Sequence, residues 1–266
     1  MTSLWQQAAQ ATWVEALKAR RSKLPIFTGL GISLLPLVGG LFMIIIRDPE
    51  IARRAGLISA KAQILTGSAD WVTYLNFLAQ GAAVGGFVLC SIILAWVFGR
   101  EYSDRTLKDL LALPTPRSVI VLAKFIVFLV WSVLLMLIVC LLGLLVGAAV
   151  RLPPVPAGVI AQGMLTILAG ALMAIIVTTP IALAASAGRG YLAAVGVTFL
   201  LMLSAQVLAI LGWGEYFPWS IPAVYAAMPG EAGASLGAAS YIIVILTGAA
   251  GVIGALLWWE LADQSR

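Results

Sequence analysis

The chain has 266 residues, 62% hydrophobic and only 10% charged, with no histidine and a formal net charge of +5; its mean hydropathy is +1.06. That balance excludes an ordinary soluble domain, and long unbroken apolar runs exclude the alternating strands of a membrane β-barrel. The missing histidine removes the commonest metal ligand and acid–base group, and the positive balance reads as basic residues gathered on the cytoplasmic side of a membrane protein rather than as a nucleic-acid footprint.

Residues 1–23 are amphipathic. Trp5, Ala9, Trp13, Ala16 and Leu17 approximate one face, while Glu15, Lys18, Arg20, Arg21 and Lys23 crowd the end. The pattern predicts an interfacial helix, aromatic side in the headgroups and basic end towards anionic lipid. The apolar run that follows is too long for a signal-peptide core. Residues 25–46 form the first predicted span, long enough for a bilayer core. A mixed polar stretch follows, with a small helix expected on the far side. Residues 74–98 form the second span, whose strongly polar members are Asn76 and Gln80. Gly81 and Gly85 there, and Gly143 and Gly147 later, have the small-xxx-small spacing that admits a close neighbour. Cys90 and Cys140 lie inside apolar runs and read as packing residues.

Residues 99–124, GREYSDRTLKDLLALPTPRSVIVLAK, are the most densely charged stretch of the chain. Thr106 and Asp109 resemble a capping box, and Leu107, Leu110 and Leu111 then share one helical face. Pro114 disfavours further helix at Leu113, so a short helix from Thr106 to Leu113 is expected. Thr115 can cap the next helix with Pro116 in its first turn, and that helix runs on into the third span at residues 125–150.

The fourth span, residues 158–187, should kink at Pro180, with Thr178 and Thr179 at hand for freed backbone groups. The fifth, residues 191–211, carries Gln206, expected to be buried. Residues 212–235, GWGEYFPWSIPAVYAAMPGEAGAS, mix aromatics with prolines that forbid one continuous helix. They predict an aromatic excursion on the far face, re-entrant or interfacial. Residues 236–259 are the sixth span. An even number of spans puts both termini on one side, and the heavier load of Lys and Arg there favours cytoplasmic termini in the plasma membrane.

Several chemistries are missing. No lysine follows a glycine, so there is no nucleotide-binding loop of the Walker type, and there is no HExxH, Cys/His cluster or GxSxG. The chain offers no catalytic group, no metal site and no cofactor site. No ionisable residue sits at the centre of a predicted span, where ion-coupled carriers and intramembrane enzymes need one. Asn76, Gln80, Gln162 and Gln206 remain, either to line a pathway or to tie helices together. An oily bundle with no engine of its own needs one from outside, and the charged platform is where a soluble motor could push.

Glu101, Thr106, the Leu110-Leu111 pair, Pro114, Arg117 and Lys124, in that order between the second and third spans, resemble the pattern of ABC-2 type transporter permeases. The resemblance extends to the six spans, the N-terminal helix and the aromatic excursion. The GWGEYFPWSIPA stretch is similar to bacitracin-type permeases of this group. The resemblance implies an all-α membrane protein: one transmembrane domain over 1–266, with an interfacial helix, a cytoplasmic coupling helix and an extracellular re-entrant segment before the last span. It implies a transport subunit that is not itself an enzyme. A second permease subunit, identical or different, would complete the path within membrane lipid. A separate ATP-binding subunit would bind ATP and magnesium and grip Glu101, Arg105, Thr106, Leu107, Leu110, Leu111, Pro114 and Arg117. The cargo would be an exported amphipathic peptide antibiotic, drug or lipid-like molecule. An ATPase-linked immunity or sensor scaffold, or a secondary carrier, is the alternative.

Overall fold

A computed structural model describes residues 4–48, 68–106, 110, 115–227 and 236–261. Among these the regular elements are helices, and six are long and apolar enough to cross a membrane: Leu24–Arg47, Trp71–Ser103, Arg117–Ala149, Ala157–Ala187, Tyr191–Ile210 and Ala238–Leu261. In chain order, α1 is Leu4–Arg21, α2 Leu24–Arg47, α3 Trp71–Ser103 and α4 Arg117–Ala149. They are followed by α5 Ala157–Thr178, α6 Pro180–Ala187, α7 Tyr191–Ile210, α8 Ile221–Ala227 and α9 Ala238–Leu261. The expected small helix between the first two spans falls on residues outside those described.

Local chemistry explains the helix ends. Asp70 is extended and accepts the Thr73 N–H at 2.8 Å, an N-cap that starts α3. At the other end Thr106 N–H reaches back to Glu101 O (3.0 Å) and Arg105 N–H to Tyr102 O (3.3 Å). This is a Schellman turn, with Arg105 at φ 58° where glycine is usual. The same turn recurs with Arg151 (φ 57°) after α4 and Arg189 (φ 52°) after α6. One expectation is corrected. Pro116 is the N-cap of α4, not its first helical residue, and Thr115 provides no cap. Pro116 has ψ 139°, which is extended, so helical backbone begins only at Arg117.

Helices α3 and α5–α6 form the core pair, each with 56% of its most apolar window buried, against 11% for the peripheral α7. Glycines set the approach. Gly143 and Gly147 of α4 leave room for Leu78 and Trp71 of α3; a Cβ on Gly147 would lie 2.5 Å from the Trp71 ring. Gly81 receives Leu35 of α2, whereas Gly85 faces open space, so only one member of that pair serves packing. Cys90 is buried, its Sγ 3.5 Å from Ser132 Oγ.

Pro180 interrupts the fourth span, and the carbonyls around the break are taken up. Thr178 Oγ1 donates to Ala174 O (2.6 Å). Thr179 N–H donates to Ile176 O (3.3 Å), and Thr179 Oγ1 crosses to Gly248 O of α9 (2.8 Å). Val177 O accepts from Trp219 Nε1 (2.8 Å), an aromatic side chain from forty residues further on. The backbone of α9 lies directly on this break, since a Cβ on Gly251 would sit 2.4 Å from Pro180 N.

Trp219 reaches that point because the chain after α7 folds back. Trp219, Ser220 and Ala223 lie against Met202, Ala205 and Ala209 of α7 and against Ala83, Val84 and Phe87 of α3. Met202 precedes the end of α7 by about two helical turns, roughly 12 Å along the axis. From there α8 climbs again, with Ile221 fully buried among Phe87, Met173, Ala174, Val177 and Val244. Ser220 Oγ donates to Gly214 O (2.6 Å) and Ser240 Oγ to Glu215 O (2.8 Å), which closes the fold-back on itself and on α9.

Candidate functional site at the charged end of the bundle

The end of the bundle that holds α1 and the last turn of α9 also holds the C-terminus of α3 and the N-terminus of α4. Its floor is aromatic. Phe98 packs on Phe125 (ring centroids 5.0 Å apart) and edge-on against Trp259, which also meets Tyr102. Trp259 is fully buried, donating from Nε1 to Ser186 Oγ at 3.0 Å.

Above this floor sits a buried cluster of four charges. Lys124 is completely buried, and its ammonium uses all its donors: Glu101 Oε1 at 2.8 Å, Val97 O at 2.9 Å and Glu15 Oε2 at 3.1 Å. Lys18 bonds Glu15 Oε1 at 2.6 Å and Glu101 Oε1 at 3.2 Å. Glu15 is 7% exposed and Glu101 3%. Charges balance within the cluster, which is what lets them leave water at all. Glu101 and Val97 are one turn apart on α3 and so face the same ammonium. Glu15 and Lys18 share a face of α1 in the same way. The cluster therefore ties α1, the end of α3 and the start of α4 into one unit. Glu101 Oε2 is buried without a hydrogen-bond partner among the described residues.

Electrostatics in the cluster are mutual. Burial pushes the Glu15 carboxyl up, but Lys124 and then Lys18 outweigh it, and Glu15 titrates below its ordinary 4.5. Burial pushes Lys18 down, but Glu15 and Glu101 outweigh that, and it titrates above its ordinary 10.5.

The residues singled out from the sequence have different fates. Glu101 is in the cluster. Arg105 and Thr106 are exposed just beyond it. Thr106 O accepts the Leu110 N–H (3.1 Å), the spacing of a helical turn, and Leu110 is half-buried against the core. Arg117 donates from Nη1 to Trp259 O (3.1 Å), so it anchors the last turn of α9. Leu107, Leu111 and Pro114, with Asp109 of the expected capping box, lie outside the described residues. Asn76 is half-buried, and Gln80 and Gln162 are exposed. Gln206, expected to be buried, is exposed, because α7 is the peripheral helix and Gln206 lies beside the outward Val207.

Glu15 and Lys18 were legible only as part of a basic helix end, and nothing local in the sequence pairs them with Lys124. The available signal was that Glu101 and Lys124 both border apolar runs, where an isolated charge is costly.

The chain was compared with known proteins. The model of the ABC-2 family transporter proteins matches residues 11–205, most of the chain and all four residues of the charge cluster. The bacitracin transport permease protein BCRB of Bacillus licheniformis is 25% identical over 135 residues. That alignment covers 51% of this chain and 65% of the relative, just under two thirds of its length. With six helices among the described residues long and apolar enough to cross a membrane, the chain belongs to the ABC-2 transporter family.

Proposed function

We propose that the chain is the permease subunit of an exporter and that its charged end is where a separate ATP-binding subunit, holding ATP and magnesium, docks and pushes. The observation that carries this reading is the four-charge cluster beneath an exposed turn. Ser103, Asp104, Arg105 and Thr106 are exposed, while Glu101 and Lys124 just below are locked to each other and to α1. A push on the exposed turn then moves the ends of α3 and α4 and the whole of α1 together, instead of bending one loop. The surface offered to the partner extends to Leu107, Leu111 and Pro114, and it lies with the termini in the cytoplasm.

A second permease subunit completes the path. Gln80 on α3 and Gln206 on α7 are exposed amides on membrane-spanning helices, better suited to another protein surface than to lipid. The excursion through Trp219 dips into the membrane from the outer side. Similarity to a bacitracin transport permease supports an amphipathic peptide antibiotic as cargo, moved outwards.

Co-expression with the ATP-binding subunits encoded in the same genome tests the reading. One of them should co-purify with the wild-type chain, and Leu107→Asp should insert normally but lose both the partner and export. Failure of every ATP-binding subunit to associate would overturn the coupling role. An unchanged bacitracin tolerance in cells that express the assembled pair would remove the peptide-antibiotic cargo while leaving the coupling role standing.

A further inference from the structure

A groove of about 370 Å³ runs between α1 and α4. Thr12, Ala16 and Ala19 of α1 form one wall, and Ile126, Val127 and Val130 of α4 the other; Pro25 and Trp131 close one end. A neighbouring hollow of about 330 Å³ under Trp5 and Trp13 shares Thr12, Ala16 and Ile126 with it, so the two form one trough along α1. Trp131 is fixed in the wall by its Nε1 donating to Thr28 Oγ1 (3.1 Å), and Thr28 in turn donates to Leu24 O (2.8 Å). The charge on the rim is Arg20. It is exposed and makes no hydrogen bond or ion pair with any described residue. Among the described residues no carboxylate lines the groove, and Glu15 on the adjoining face is already held by Lys124.

We propose that this trough is a specific site for one anionic phospholipid, an acyl chain lying between α1 and α4 and the headgroup phosphate on Arg20. The occupant is a lipid for two reasons. The groove opens onto the exposed apolar stripe of α4, where Leu129, Val130 and Leu134 continue the path a chain would take. Trp5 and Trp13, 82% and 68% exposed, flank it as headgroup-level anchors. The lipid is anionic because the guanidinium takes the phosphate in bidentate fashion, while no carboxylate among the described lining residues is there to pair the cation of a zwitterionic headgroup. The bound lipid would brace α1 from outside, as the ion cluster braces it from inside. The site does not depend on whether the ATP-binding partner exists.

The test uses the full chain purified in detergent, with native mass spectrometry and thermal melting against added phosphatidylglycerol or phosphatidylcholine. Phosphatidylglycerol should remain bound in one copy and raise the melting temperature, and phosphatidylcholine should do neither. Arg20→Gln should weaken phosphatidylglycerol binding about fivefold, the loss expected for one basic residue at a membrane surface. Val130→Trp fills the groove from an exposed position that the fold tolerates and should abolish retention, while Arg151→Gln at the other end of the bundle should change nothing. Glycerol phosphate, a headgroup without chains, should give no shift. Equal retention of both lipids, retention unaffected by Arg20→Gln and Val130→Trp, or a shift with glycerol phosphate alone would each overturn the proposal.

Discussion

The charged end and the Pro180 break solve the same problem with different chemistry. Each buries polar groups inside an oily bundle. At the break the groups are neutral: Trp219 donates to the Val177 carbonyl beside the proline, Thr178 to Ala174 O within the helix and Thr179 to Gly248 O of α9. At the charged end they are full charges, Lys124 between Glu15 and Glu101 with Lys18 beside them. Neutral donors to backbone carbonyls add a modest net stabilisation and repair a local defect. Buried ions recover little more than their desolvation cost when paired, and lose heavily when one partner goes. The charged end is therefore the less forgiving of the two. Its arrangement makes sense where three separate elements must keep one register, as they must if the exposed turn next to it transmits force.

The comparison is broken most sharply at Lys124. Lys124→Met leaves Glu15 and Glu101 buried with Lys18 alone, and should cost about 3–5 kcal/mol. Thermal melting in detergent would show this as a large downward shift. Lys124→Met with Glu101→Gln restores the charge balance and should recover a substantial part of the loss. If the two changes simply add, the four residues do not act as a unit.

A smaller effect is expected at the break. Trp219→Phe keeps an aromatic side chain but loses the indole N–H and leaves Val177 O without that donor, at about 1–3 kcal/mol. Thr179→Val should cost less than Trp219→Phe, because the Ile176 carbonyl keeps its bond from the Thr179 N–H. Should Trp219→Phe cost as much as Lys124→Met, the contrast between ionic and neutral solutions would fail.

The two regions should also separate by pH. Glu15 has a folded value below its ordinary 4.5, so the folded state binds fewer protons there than the unfolded chain. Its contribution is complete above 4.5 and is lost as pH falls through the folded value. Lys18 has a folded value above 10.5; its contribution is complete below 10.5 and is lost as pH rises through that value. The melting difference between wild type and Glu15→Gln should stay level between those limits and shrink below the lower one. The Trp219→Phe difference should stay level throughout, since no titrating group takes part in that bond.

Much of this was readable in the sequence, for physical reasons. Continuous apolar length announced the six spanning helices, and Pro180 with its neighbouring threonines announced the break. Glu101 and Lys124 belonged to a recognisable pattern, but the pairing of Lys124 with Glu15 is a contact across more than a hundred residues. Periodicity reports which face of a helix is apolar, not which helix will meet it. Trp219 was hidden for the same reason: an aromatic near prolines looks like an interface anchor until the chain is seen to fold back onto α7. Gln206 was misjudged because burial in an oily sequence depends on which helix ends up outermost. Nothing in the composition of residues 191–211 marks them as peripheral.

The smallest effect bears on whether the exposed turn is a surface for a partner. Arg105 and Arg151 adopt the same left-handed conformation in the same Schellman turn at opposite ends of the bundle. Glycine at either position removes a backbone cost of about 1–2 kcal/mol and gives up about 0.3–1 kcal/mol from a basic side chain at a helix C-terminus. Both Arg105→Gly and Arg151→Gly should therefore raise stability slightly, by about 0.5–1 kcal/mol. Equal gains would mean that Arg105 is held at a site that prefers glycine, with no structural return within the chain. Whether Arg105 serves a partner is then read from capture: Arg105→Gly should weaken capture of an ATP-binding subunit where the equally strained Arg151→Gly does not. A loss of stability at Arg105 alone would show that it supports the fold, and the docking surface would then rest on the neighbouring Thr106 and Leu107 without it.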